Sequence, residues 1–192
     1  MDLHSGQIQG FFDGPVDHLT ALPPLARYIR DNHEGDLIVV SPDAGRVKWA
    51  EKFAARLNAP LAILHKRRTT EERNVVQVRE VVGDVRGKHC VMIDDMIDTA
   101  GTLRAAGQTV VDEGASRVFA AATHAIFSGN AYENLAGSPF EQIVVTDTIP
   151  LRPGAPDNVR VLSCAELLTD SIRRIFTDDS VSEVFGGENQ LF

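Results

Sequence analysis

The sequence has 192 residues, 43% of them hydrophobic, which suits one domain with a real core, or one domain and a small appendage. A net charge of -8 and a pI of about 5.2 exclude a nucleic-acid binder held by a broad basic surface. Mean hydropathy is -0.10, and no apolar run approaches the roughly 20 residues that cross a bilayer. The opening MDLHSGQIQG has neither a basic start nor an apolar core, so it does not read as a signal peptide. Cys90 and Cys164 fall on predicted core elements without metal-type spacing, as reduced, buried residues of a cytosolic protein do.

In chain order, Asp2 to Asp17 reads as a strand-like segment loaded with polar groups. Pro23-Pro24 opens a helix through Leu25, Tyr28 and Ile29, since proline suits a first turn, and Asn32 to Asp36 closes it. Leu37 to Val40 is a continuous apolar run fit for a parallel strand covered on both faces. It ends in Ser41-Pro42-Asp43-Ala44-Gly45, after which Val47, Ala50, Phe53, Ala54 and Leu57 mark one helical face. Leu61 to Leu64 predicts the next strand, followed by His65-Lys66-Arg67-Arg68, a charged turn-like stretch from Thr69 to Arg73, and a hairpin strand from Val75 to Val82.

Cys90 to Asp94 then reads as a short buried strand that ends in two carboxylates, Asp94 and Asp95. The turn Asp98-Thr99-Ala100-Gly101-Thr102 follows, and an amphipathic helix runs from Leu103 to Glu113. A strand, a tight loop and a helix N-terminus make an anion site, because first-turn N–H groups and the helix dipole favour negative charge. Gly101 lets the backbone approach closely, and the Thr99 and Thr102 hydroxyls add donors. Asp94 and Asp95 repel a phosphate, but they accept hydrogen bonds from vicinal hydroxyls or hold a divalent cation. Acids directly before a phosphate loop therefore suggest a phosphorylated sugar.

Farther on, strands are expected over Arg117 to Thr123, Gln142 to Asp147 and Val159 to Leu162, with a short helix from Ser128 to Leu135. Ser163 and Glu166 have the spacing of a capping box for a last helix that buries Leu167, Leu168, Ile172 and Ile175. Val181, Val184 and Phe185 are packing candidates in an acidic tail. Alternation of strands and helices from Leu37 onward predicts an α/β fold with a mainly parallel sheet, and ligand loops at the carboxyl ends of its strands.

DDMIDTAGT resembles the ribose-5-phosphate (PRPP) loop of the type I phosphoribosyltransferase fold. DLHSGQIQGFFDGPVD, SPDAG and KRR, in that order, resemble segments of ribose-phosphate pyrophosphokinases, the PRPP synthetases. The resemblance covers nearly the whole chain and is to the carboxyl-terminal half of that family. It implies a flexible hairpin loop protruding from the sheet, and a single phosphoribosyltransferase-like domain over residues 1–192. Nothing in the sequence corresponds to the family's amino-terminal domain, with its adenine-holding segments, so ATP binding by this chain is expected to be impaired.

The reaction implied is Mg²⁺-dependent transfer of diphosphate from ATP to the 1-hydroxyl of ribose 5-phosphate, giving PRPP and AMP. The resemblance places Asp98, Thr99, Ala100, Gly101 and Thr102 on the sugar phosphate, and Asp94 and Asp95 on the ribose hydroxyls. His4, Ser41, Asp43 and Gly45 fall to ATP and its diphosphate. Metal ligands are expected in His4 and Asp43, with Asp2, Asp13 and Asp17 as weaker candidates. Lys66 and Arg68 match the cations of the family's catalytic loop, which neutralise charge on the transferring group. Arg46 stands where many members carry a second glycine; it reads as a surface charge, with a phosphate-facing cation as the alternative. A cytoplasmic homo-oligomer is implied, with ATP and ribose 5-phosphate as ligands and neither nucleic acid nor membrane as partner. Two other readings share the central loop: a non-catalytic ribose 5-phosphate or PRPP-binding regulatory module, and a phosphoribosyltransferase that consumes PRPP.

Overall fold

The computed structural model describes residues 1–71 and 74–185, with the side chains of 66–79 outside that description. The chain builds one seven-stranded sheet: β1 (Leu37–Ser41), β2 (Leu61–Glu71), β3 (Asn74–Val82), β4 (His89–Ile97), β5 (Arg117–Ala125), β6 (Gln142–Thr146) and β7 (Val159–Leu162). The strand order is β3-β2-β1-β4-β5-β6-β7, and every pair is parallel except the β2–β3 hairpin. From β1 the chain winds outward to β3, then returns to β4 and winds the other way. β1 and β4 are therefore neighbours across a topological switch point, where open α/β sheets place their ligands.

Alternation within the central strands divides two cores. On one face Ile38, Val40, Cys90, Met92 and Ala120 pack with α3 (Gly101–Asp112) and α4 (Ala131–Ala136). On the other, Val39, Val91, Ile93, Phe119 and Ala121 pack with α1 (Leu22–Asn32) and α2 (Val47–Leu57). Continuous apolar runs such as Leu37 to Val40 are what a strand covered on both faces requires. In the middle of the sheet Ala120, Ala121 and Ala122 are 0%, 1% and 0% exposed, and α1 and α3 both contact this strand.

The structure departs from expectation in four places. The opening segment is not strand-like: Gly6–Phe11 is a 3-10 helix without buried residues. The carboxylates do not end β4, which continues through them to Ile97, paired with β5 as far as Ala125. β2 likewise runs on to Glu71 through part of the stretch read as turn-like, and 72–73 lie outside the described residues. The last helix, α5 (Ala165–Phe176), does not bury the face its periodicity proposes. Leu168, Ile172 and Ile175 are 42%, 54% and 52% exposed, and Ser171 is its buried residue. Its capping box does not form either. The Ser163 hydroxyl accepts from Ala165 N–H at 3.2 Å, and Asp147 Oδ1 accepts from Cys164 N–H at 2.8 Å, so the cap comes from the end of β6.

The tail does pack as expected, with Phe185 4% exposed at the end of a 3-10 turn over Val181–Phe185. Both cysteines are buried and free, and burial pushes the Cys90 thiol up to about 12. Among the described residues no helix is long and apolar enough to cross a membrane.

The amino-terminal segment is fastened by buried polar groups. Asp2, 5% exposed, accepts at Oδ2 from Ala21 N–H at 2.7 Å and from the Thr123 hydroxyl at 2.6 Å. His124 Nε2 lies 3.1 Å from the carbonyls of both Met1 and Asp2, and its Nδ1 is 2.9 Å from the Thr148 hydroxyl. Asp2→Ala leaves a buried N–H and hydroxyl without that acceptor and is expected to cost about 1–3 kcal/mol. Urea unfolding checks this: a midpoint equal to that of the parent chain would mean that the anchor carries no stability.

Candidate functional site

Three segments meet at the carboxyl edge of β1 and β4. β1 delivers the loop from Ser41 to Gly45, β4 delivers the acid pair, and the amino-terminal segment lays His4 across them. Asp95 is 3% exposed, and Asp94 beside it is partly buried. Their like charges share one corner, with the Asp95 N–H donating to Asp94 Oδ1 at 2.9 Å. Burial, then the hydrogen bond and charge of Asp95, raise the Asp94 carboxyl from its usual 3.8 to about 7, against the pull of the Asp95 N–H and Arg46.

Compensating charge comes from Arg46. Its Nη2 lies 2.9 Å from Asp95 Oδ2 and its Nε 3.4 Å from Asp94 Oδ1. The same Nη2 is 2.5 Å from His4 Nδ1, which itself sits 3.0 Å from Asp95 Oδ2. The expectation of a surface charge at Arg46 is corrected: its side chain is 22% exposed and clasped by both acids. A pair of adjacent acids at a central strand is itself the signal that a cation must be near, and the sequence holds one three residues after Asp43.

The Ser41 to Gly45 loop holds itself in shape. Asp43 Oδ1 accepts from Gly45 N–H at 2.8 Å and Arg46 N–H at 3.1 Å, and the Ser41 hydroxyl donates to the Asp43 carbonyl at 2.7 Å. The amide of Gly45, a residue expected at the diphosphate, is thus already served by the loop's own acid. Asp43 Oδ2 takes no hydrogen bond among the described residues.

The loop expected to take the phosphate follows β4. Asp98 and Thr99 are exposed, Ala100 adopts a left-handed φ of 60°, and α3 starts at Gly101. A left-handed alanine costs about 1 kcal/mol or more and persists where its surroundings fix it. Two residues that the motifs do not flag do the fixing: the Ser128 hydroxyl donates to Asp98 Oδ1, and Asn134 Nδ2 donates to the Thr99 carbonyl at 2.9 Å. Both come from the segment after β5, whose proximity only the folded sheet reveals.

The remaining candidates are spread out. Asp2 is spent on the amino-terminal anchor, and Asp13 and Asp17 are exposed in the preceding loop, apart from the acid pair. His18 fixes that loop by accepting from Leu3 N–H at 3.1 Å, and burial first of all lowers its pKa, favouring the neutral ring. A cavity of about 180 Å³ opens here, lined by Leu3, His18, Arg46, Trp49, Lys52 and Asp95 among others. Lys66 and Arg68 lie on β2, opposite Arg79 and Gln77 of β3, with side chains outside the described residues. Among the described residues no three His, Cys, Asp or Glu side chains gather into a metal-binding group. Magnesium needs no such cage, since one or two carboxylates joined by ligand phosphates and water suffice, and the hard oxygens of Asp43 meet that need.

A parallel sheet with an acid pair and a phosphate-type loop at its switch point defines a phosphoribosyltransferase-like α/β protein. A family model for the phosphoribosyl synthetase-associated domain matches residues 78–186, and the chain belongs to that family. The ribose-phosphate pyrophosphokinase of Streptomyces avermitilis is 50% identical over 188 residues, which cover 96% of this chain and 58% of that protein. The one from Corynebacterium glutamicum is 50% identical over 190 residues, covering 98% and 58%. Among solved structures, phosphoribosylpyrophosphate synthetase from Mycobacterium smegmatis superposes with a TM-score of 0.82 at 44% identity, covering 92% of this chain and 57% of that one. The chain thus spans a little over half the length of these relatives.

The raised Asp94 gives a pH signature. Between its usual 3.8 and about 7 the folded chain holds a proton that the unfolded chain has lost, so stability falls as pH rises through that interval. Asp94→Asn is expected to flatten the fall. Urea unfolding at about pH 5 and pH 8 measures it, and an equal pH dependence in both proteins would show that Asp94 titrates as an ordinary carboxylate.

Proposed function

We propose that the chain, acting as a single phosphoribosyltransferase-like domain over 1–192, carries the ribose 5-phosphate site of a ribose-phosphate diphosphokinase. The observation that carries the reading is the side-by-side placement of the Asp94–Asp95 pair and the Asp98 to Thr102 loop, beside the Ser41 to Gly45 loop, in a fold matched by a PRPP synthetase. Acids set directly before a phosphate loop suit a ligand with vicinal hydroxyls and a phosphate at opposite ends. The loop and the first turn of α3 take the 5-phosphate, aided by the helix dipole. Asp94 and Asp95 accept hydrogen bonds from the ribose hydroxyls.

In the reaction proposed, the ribose 1-oxygen bonds to the β-phosphorus of ATP as the bond from that phosphorus to the oxygen bridging to the α-phosphate breaks. AMP leaves, and the 1-hydroxyl proton is released. In-line transfer of this kind depends on positioning and neutralised charge more than on covalent help. Magnesium would neutralise phosphate charge, held through Asp43 with His4 nearby. Lys66 and Arg68, on the β2 strand of the β2–β3 hairpin, are assigned to the diphosphoryl group in transit. We further assign the chain to a cytoplasmic homo-oligomer. A second reading, ribose 5-phosphate binding without turnover, is favoured by one observation: Arg46 and the internal cap at Asp43 occupy groups that a reacting complex must use.

Phosphorus NMR of the chain with Mg²⁺, ATP and ribose 5-phosphate tests both. Growth of AMP and a pyrophosphoryl sugar signal, lost on Lys66→Ala, is expected of a working synthetase. Ribose 5-phosphate resonances that shift without product point to the second reading, and resonances that never move sink both. In calorimetry, Asp94→Ala is expected to weaken ribose 5-phosphate binding about tenfold, as loss of a charged hydrogen bond does, with the fold intact. Unchanged affinity would remove the acid pair from the sugar site.

A further inference from the structure

We infer that Arg46 is a built-in competitor of the sugar: its guanidinium closes the Asp94–Asp95 pair in the ligand-free chain, and the ribose hydroxyls must displace it to bind. The inference deepens the ribose 5-phosphate reading above and rests on it.

Three observations support it. The guanidinium reaches both acids, at 2.9 Å to Asp95 Oδ2 and 3.4 Å to Asp94 Oδ1, so it uses the acceptors that the hydroxyls need. It is held from a third side by His4, 61% exposed at its side chain, whereas Asp95 at 4% has little access to water. The Arg46 side chain is thus the group that stands over a deeply buried acceptor. Its backbone N–H is fixed separately by Asp43 Oδ1 at 3.1 Å, so departure of the side chain from the acids does not break that loop contact.

The competition is specific to hydroxyls. A guanidinium near a phosphate site attracts phosphate, so a merely electrostatic role would make loss of Arg46 weaken every anionic ligand. Displacement predicts the reverse for a ligand that brings hydroxyls to the acids. A neutral hydroxyl is a weaker partner for a carboxylate than a guanidinium fork, and the pair it breaks opposes its binding. Removing one desolvated, charged hydrogen-bond partner corresponds to about a tenfold change in affinity.

The test is calorimetric titration of ribose 5-phosphate, and separately of inorganic phosphate, into the parent chain, Arg46→Ala and Arg46→Met. Arg46→Met keeps the apolar stem, so a defect of packing in the alanine variant shows as a difference between the two, and thermal melts verify folding. The expected result is about tenfold tighter ribose 5-phosphate binding in both variants, with inorganic phosphate bound no more tightly than by the parent. The Arg46 Nε–H signal in nitrogen-edited NMR should shift when ribose 5-phosphate is added and stay in place with inorganic phosphate. Equal or weaker ribose 5-phosphate binding by the variants, with the parent still binding, overturns the competitor role and leaves the sugar site standing. Absence of ribose 5-phosphate binding by all three proteins overturns the sugar site and the competitor role together.

Discussion

Two carboxylates in succession on a central strand, one of them 3% exposed, are the constraint around which the site is arranged. Charges of one sign at such close range and so little hydration demand a nearby cation or a shared proton. The chain supplies both. Arg46 arrives from the loop after β1, and the raised Asp94 carboxyl takes up what charge remains unbalanced. For this to happen β1 must run beside β4, although the β2–β3 hairpin intervenes in sequence. The reversal of winding at the switch point is therefore more than a topological label: it brings cation and anions within reach of each other.

The second dependence runs through the amino-terminal segment. His4 reaches the acid pair from a segment that Asp2, two residues earlier, ties to Ala21 and Thr123. Thr123 sits on β5 beside β4, so one buried carboxylate sets the position of a residue at the site's mouth. The Asp98 to Thr102 loop is braced in the same way from behind, by Ser128 and Asn134 after β5.

Much of this was legible in the sequence, for physical reasons. Runs such as Leu37 to Val40 are apolar because both faces of the strand are covered, and that alone separates the central strands from the helices. The order of strand, loop and helix around DDMIDTAGT could be read directly, as β4, its loop and α3. What stayed hidden depends on distance in space. Arg46 looks like any exposed arginine until β1 and β4 are paired, and Ser128 and Asn134 look like ordinary residues of a loop and a short helix until β5 is beside β4. The last helix misled in another way. Leu168, Ile172 and Ile175 have the spacing of a buried face, but periodicity reports that a face is apolar and not what covers it. The opening segment misled because its hydrophobic residues are exposed: Ile8 and Phe11 on a 3-10 helix at 57% and 89%, and Phe12 just after it at 63%.

The run of alanines in the middle of β5 bears on how such a protein can change over time. With Ala120 and Ala122 toward one helical layer and Ala121 toward the other, the sheet there is as thin as side chains permit. A larger residue at any of the three would wedge a whole layer outward, shifting the elements that carry the loops. Variation that preserves the architecture is therefore pushed to the rim, where loop residues such as Arg46 can be exchanged without a side chain entering the middle of the sheet. The rigid middle makes the edge adaptable.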